Sequence, residues 1–206
     1  MTRPIIDAGP GLNFFALNQE RALFDAIGAV SVPETVRDEI LGKAARDKRF
    51  SHAASVMKKL PERLLEILSD DATTGLVAAV ERMTHMSYPE RRSISNDLGE
   101  TMVIAHAVVA ASAGADIRVL IDDGQGQQIA GREAARLNRL RDKGEPVGRI
   151  TLMDTVSVLR VAAGRQYIPD RSAMRKLYQR MRDIDDGLVP LDDTGLMNLD
   201  CWTPTR

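Results

Sequence analysis

The sequence predicts an α/β fold: a three-layer α/β/α arrangement around a central parallel sheet of about four strands. Three observations carry that expectation. Short apolar runs that suit buried strands alternate with longer helix-favouring stretches. Strands separated in this way need crossover connections, which make a sheet parallel and place helices on its faces. Two of the runs end directly on aspartate, the arrangement expected where a site forms at the carboxyl edge of such a sheet.

The elements follow in order. Residues 4–7 (Pro-Ile-Ile-Asp) read as a first strand, and Gly9, Pro10 and Gly11 as a turn. Leu12, Phe15, Leu23, Phe24 and Ile27 fall on one helical face across 12–27. Residues 29–32 make a second strand. A helix over about 33–46 follows, with Pro33 in its first turn and Ser31 as cap. Residues 47–95 are polar and basic in patches and read as a helical insert, with helices at about 51–60, 61–69 and 72–86. A long Ala/Val-rich helix runs from Asn96 to about 113, apolar on most faces and therefore central. Residues 116–121 are the clearest strand, and a helix over about 126–142 follows. Residues 147–150 are a short fourth strand. Helices at 152–163 and 170–184 complete the pattern, and the last twenty residues read as a tail. A core domain therefore covers 1–150, and 151–206 forms a C-terminal helical extension packed on it.

Composition narrows the function. The chain has 206 residues, 28 Lys+Arg against 29 Asp+Glu, and a formal net charge of −1, which argues against a globally basic nucleic-acid binder. The 44% hydrophobic content is enough to build a core, and aliphatic residues must fill it because aromatics are 4%. Cys201 is alone, which excludes a disulfide framework and a cysteine-based zinc site. His52, His85 and His106 form no zinc-protease spacing. No apolar run is long enough for a transmembrane helix, and no signal segment is evident. A cytoplasmic protein without membrane association is the expectation.

Four acids come together on this layout: Asp7 after the first strand, Glu39 on the helix after the second, Glu100 in the first turn of the long helix, and Asp122 or Asp123 after the third strand. Carboxylates cannot crowd a dry pocket unpaired, because they repel and resist desolvation. A divalent cation such as Mg²⁺ or Mn²⁺ resolves that conflict, and several acids without a catalytic His or Cys point to metal-dependent phosphodiester cleavage. Each acid also has a plainer use. Asp7 can cap a helix, Glu39 can pair with Lys43, and Asp97-x-x-Glu100 has capping-box spacing. Glu34 and Asp38 compete with Glu39.

The pieces Ile5-Ile6-Asp7-Ala8-Gly9, Val32-Pro33-Glu34-Thr35-Val36-Arg37-Asp38-Glu39-Ile40, Asp97-Leu98-Gly99-Glu100 and Leu120-Ile121-Asp122-Asp123 resemble, in order and context, the PIN-domain nucleases, in particular the VapC-like toxin ribonucleases. The resemblance covers about residues 4–150, interrupted by the insert. It implies a PIN-like fold and Mg²⁺- or Mn²⁺-dependent RNA cleavage leaving 5′-phosphate and 3′-hydroxyl ends. Asp7, Glu100 and Asp122 or Asp123 would hold metal, and Glu39 would share it or orient the attacking water. An antitoxin protein and a second copy of the chain are the partners it implies. The chain departs from the pattern in two places: Gly9 stands where small toxins often carry Ser or Thr, and Glu100 stands where Asp is more usual.

Other motifs are weaker. Gly124-Gln125-Gly126 opens a helix after a strand, but Ile129 stands where a dinucleotide fingerprint needs its third glycine. Arg132, Arg136 and Arg139 recur on one helical face and are candidate phosphate contacts. Arg171, Arg175, Arg180 and Arg182 dress a later helix. With so few aromatics, recognition by backbone or shape is expected rather than base stacking. The alternative to an enzyme is a catalytically weak PIN-like module that binds RNA or protein.

Overall fold

A computed structural model describes residues 2–202. Its centre is a five-stranded, all-parallel sheet in the order β3-β2-β1-β4-β5. The strands are β1 (Ile5–Ile6), β2 (Val30–Pro33), β3 (Leu65–Leu68), β4 (Ile117–Leu120) and β5 (Ile150–Met153). Among the described residues ten α-helices connect or follow them: α1 (Ala8–Phe15), α2 (Glu20–Ile27), α3 (Glu34–Arg46), α4 (Ser51–Lys59), α5 (Thr74–Thr84), α6 (Tyr88–Ser93), α7 (Leu98–Ser112), α8 (Gly124–Asp142), α9 (Thr155–Ala162) and α10 (Arg171–Ile184). The α/β class holds, and the arrangement is consistent with three layers. No described helix is long and apolar enough to cross a membrane.

The extra strand corrects the expected count of four. Residues 61–69 were expected to be helical, but 65–68 instead pair in parallel with β2, from Val30↔Leu65 to Pro33↔Leu68. The short apolar run Leu64-Leu65-Glu66-Ile67-Leu68 has no decisive period, and pairing with an open sheet edge settles it. The 47–95 segment is therefore not a purely helical insert: it supplies an edge strand, and its α5 packs against α7.

Three further expectations change. Gly9, Pro10 and Gly11 lie inside α1 rather than in a turn. A first-turn proline removes an N–H that has no intrahelical partner, so Pro10 is compatible with the helix there. The single face expected over 12–27 is divided between α1 and α2, with Asn18 at φ +55° between them. The fifth strand lies at 150–153 rather than 147–150. A Cβ on Gly148 would collide with the Ala115 backbone, so this segment is a close crossing, and pairing starts at Ile117↔Ile150.

Ser31 is not a helix cap. Its hydroxyl donates to Glu66 Oε2 at 2.7 Å, and Pro33 occupies the cap position of α3. Through Trp202 the final segment is not a loose tail: Leu188 and Leu196 are buried, and the Trp202 indole N–H donates to the Leu196 carbonyl; the rest of the expected tail, 203–206, lies outside the described residues. As expected, α7 is central. It buries residues on several faces and touches β1, β2, β4, β5 and helices α3, α5 and α8.

Candidate active site

Asp7 leaves β1 at the carboxyl edge of the sheet. Its N–H donates to the Leu120 carbonyl of β4, and its own carbonyl accepts from Gly11 inside α1. The residue is only 7% exposed. Burial pushes its carboxyl up to about 7, and the nearby charges of Glu39 and Asp122 push the same way. The N–H groups of Ala8 and Gly9 at the head of α1 pull it back only in part.

Glu39 and Glu100 approach from the helices. Glu39 sits on α3 at the exposed rim, its carboxyl raised by partial desolvation and by Asp97, with Lys43 opposing. Gly99, on α7, lies between acids. A Cβ there would stand 2.7 Å from Glu39 Oε2 and 3.5 Å from Asp7 Oδ1. The missing side chain is what lets α7 come this close to both carboxylates. Glu100 follows, half-buried, pushed up to about 7 by desolvation first and then by Asp7, Asp123, Asp97 and Glu39. A Cβ on Gly126 of α8 would stand 2.8 Å from Glu100 Oε2, so a second glycine makes room for a third acid. Asp7, Glu39, Asn96, Asp97, Gly99 and Glu100 line one polar cavity of ≈ 400 Å³.

Asp97 does not cap α7. It is in the left-handed region at φ +53°, and its carbonyl, not its carboxylate, accepts from Thr101. The capping-box reading of Asp97 and Glu100 therefore fails, and Glu100 stays with the acid group.

The structure separates Asp122 from Asp123. Asp123 is exposed and caps α8, accepting from the N–H groups of Gln125 (2.7 Å) and Gly126 (3.2 Å). Asp122 turns inward. It accepts from the Thr155 N–H (2.7 Å) and hydroxyl (2.6 Å) and from Asn13 Nδ2 (3.3 Å). Burial still pushes Asp122 up to about 6, with Asp185 and Asp154 adding to the rise. Asn13 and Thr155 carry no sequence signal for this role, and Asp185 reads from the sequence as a cap or a solvated acid. Asn13 Nδ2 also donates to Asp185 Oδ2 at 2.7 Å, so the chain beyond α10 brings one more carboxylate to Asp122. Asp154 caps α9 through the Ser157 N–H.

Among the described residues no salt bridge reaches Asp7, Glu39, Glu100 or Asp122. Equally, no three Asp, Glu, His or Cys side chains are gathered tightly enough to cage a metal ion. The acids line and border a cavity without closing on one point. Their chemistry suits a hard divalent cation: all-oxygen donors, mutual repulsion and no salt bridge to a protein cation among the described residues. A separate apolar cleft of ≈ 460 Å³, lined by Ile5, Leu68, His106 and Val109 among others, holds none of these acids.

The candidate phosphate contacts on α8 divide. Arg132 and Arg139 are exposed, whereas Arg136 donates from Nε to the buried Glu133 at 2.8 Å, and Arg82 pairs with the same carboxylate. His106 is half-buried and hydrogen-bonded, with Nε2 2.8 Å from Asp70 Oδ1. No family model, curated protein or solved structure matches the chain.

Proposed function

We propose that the protein is a divalent-metal-dependent endoribonuclease of the PIN-domain type. The supporting observation is the set of carboxylates from β1, α3, α7 and the end of β4, three of them with pKa values raised to about 6 or 7 and none paired with a cation. The strand order and the acids' place at the carboxyl edge support the same reading.

Asp7, Glu100 and Asp122 are the residues that would hold Mg²⁺ or Mn²⁺. A divalent ion bound there supplies a water of lowered pKa and charge compensation for phosphoryl oxygens. Thr155 fixes Asp122 by two hydrogen bonds, so this carboxylate needs little reorganisation. Glu39, at the rim and near Lys43, is placed to take up a proton at Oε2 while staying open to solvent. Asp7 and Glu100 are readily deprotonated at and above neutral pH, where the ligand form is required.

Isothermal titration of Mn²⁺ into wild type and Asp7→Asn, followed by incubation of both with mixed cellular RNA, tests the reading. Metal binding and RNA cleavage present in wild type and lost in the variant are expected; cleavage unchanged in Asp7→Asn overturns the assignment. A toxin role predicts growth arrest on expression, relieved by Asp7→Asn, with an antitoxin as partner. The absence of a closed three-acid cage favours a second reading, a catalytically weak module that binds RNA or protein. That reading predicts RNA or protein binding without metal dependence.

A further inference from the structure

We propose that α10 is a phosphate-tracking arm, with Arg171, Arg175 and Arg182 along one side leading a single-stranded RNA backbone toward Asp122. This rests on the nuclease reading of the acid cavity and adds to it the route by which substrate arrives.

The helix is strongly two-sided. Met174, Leu177, Tyr178 and Met181 are buried and fix its rotation. At 3.6 residues per turn, Arg171, Arg175 and Arg182 then fall within about 40° of one another and span about 16 Å of axis. Lys176 and Arg180 lie on the other flank, more than about 100° away.

The three arginines form no ion pair among the described residues. Arg171 and Arg175 are exposed. Arg182 is half-buried, and its Nε is a buried donor without a partner. An orphaned guanidinium donor is costly, and a phosphate oxygen is the acceptor that suits it. On α8, Arg136 is held by Glu133 through Nε, although its Nη2 is likewise a buried donor without a partner.

The row also ends in the right place. Directly after α10, Asp185 accepts from Asn13 Nδ2, and the same amide reaches Asp122. The Tyr178 hydroxyl, one turn before Arg182, lies in the fields of Arg182, Asp122 and Asp185. A strand following the arginines therefore arrives beside Asp122. The adjacent acids would repel the backbone unless cations carried it past them.

The test is fluorescence anisotropy of a labelled single-stranded RNA in EDTA, from 50 to 200 mM KCl. The proteins are wild type, Arg171→Gln/Arg175→Gln and Lys176→Gln/Arg180→Gln, each checked for unchanged thermal melting. The row variant is expected to bind about tenfold more weakly, with a salt slope shallower by about 1.4, the release expected from two single-strand phosphate contacts. The flank variant should stay within about twofold of wild type. The row reads phosphodiester charge, so RNA and DNA competitors of one sequence tell which backbone it takes; binding of either that is lost in the row variant upholds the track. Equal losses in the two variants, or no loss in either, overturn it. Binding through the row without Mn²⁺-dependent cleavage leaves the track standing and removes the nuclease. Cleavage with unchanged binding in the row variant does the reverse.

Discussion

Replacing Asp7 by Asn removes a buried negative charge and keeps the shape of the side chain. Burial holds the Asp7 carboxyl at about 7 against an ordinary 3.8. Between those values the folded chain keeps a proton that the unfolded chain has released. The fold therefore loses stability as pH rises toward 7 and regains it as pH falls toward 4. At about 1.4 kcal/mol per tenfold in proton affinity, this carboxyl costs the cation-free fold about 1.5 kcal/mol at pH 5 and about 4 kcal/mol at pH 8. Asn escapes that cost. Because the Asp7 charge also raises Glu100, the substitution eases ionisation of a second acid. Urea unfolding of both proteins in EDTA at pH 5 and pH 8 measures the difference. Asp7→Asn should be the more stable at pH 8, with an advantage larger by about 2.5 kcal/mol than at pH 5. Mn²⁺ at a hundred times its dissociation constant should then stabilise wild type by about 2.7 kcal/mol and the variant far less. A variant less stable than wild type at pH 8, or a difference independent of pH, would refute the argument that an uncompensated buried charge sits at residue 7.

Three other substitutions separate the roles of neighbouring residues. Thr155→Val removes the hydroxyl that fixes Asp122 and should weaken Mn²⁺ binding about 10- to 100-fold by calorimetry while the protein still folds. Asp123→Ala should cost about 1 kcal/mol in thermal or urea unfolding through loss of the α8 cap, with Mn²⁺ affinity little changed. Gly99→Ala places a methyl group 2.7 Å from Glu39 Oε2. Cleavage assays should show a large loss with circular dichroism unchanged, because the carboxylate and not the helix must give way.

Asp7, Glu100 and Asp122 were legible because each lies next to an element boundary that local sequence marks: two follow apolar strands, and one opens a long apolar helix. Choosing between Asp122 and Asp123 was not possible at that level. The choice depends on Thr155 and Asn13 reaching Asp122, contacts made across 33 and 109 positions of chain. Asn13 was hidden for a local reason. The Gly9-Pro10-Gly11 string reads as a turn, which conceals a helix beginning at Ala8 with Asn13 buried on it. Strand β3 was missed because four residues cannot declare a period, and only the open edge of β2 selects extended structure for them. Arg136 read as a free cation because the sequence does not reveal that Glu133, three positions earlier, is buried beneath it and Arg82.

The junction of Asn13, Asp122 and Asp185 also bears on the order in which the protein is made. Asn13 and its partner beyond α10 are 172 positions apart. During synthesis the sheet edge and most of its carboxylates emerge well before the segment that lays Asp185 against them. On the nuclease reading, a nascent chain whose residues beyond α9 have not yet emerged lacks both the arginine row and the last acid of the cluster. Ribosome-bound chains from which residue 185 has emerged would differ in Mn²⁺-dependent cleavage from those in which it has not, with activity arising only in the former.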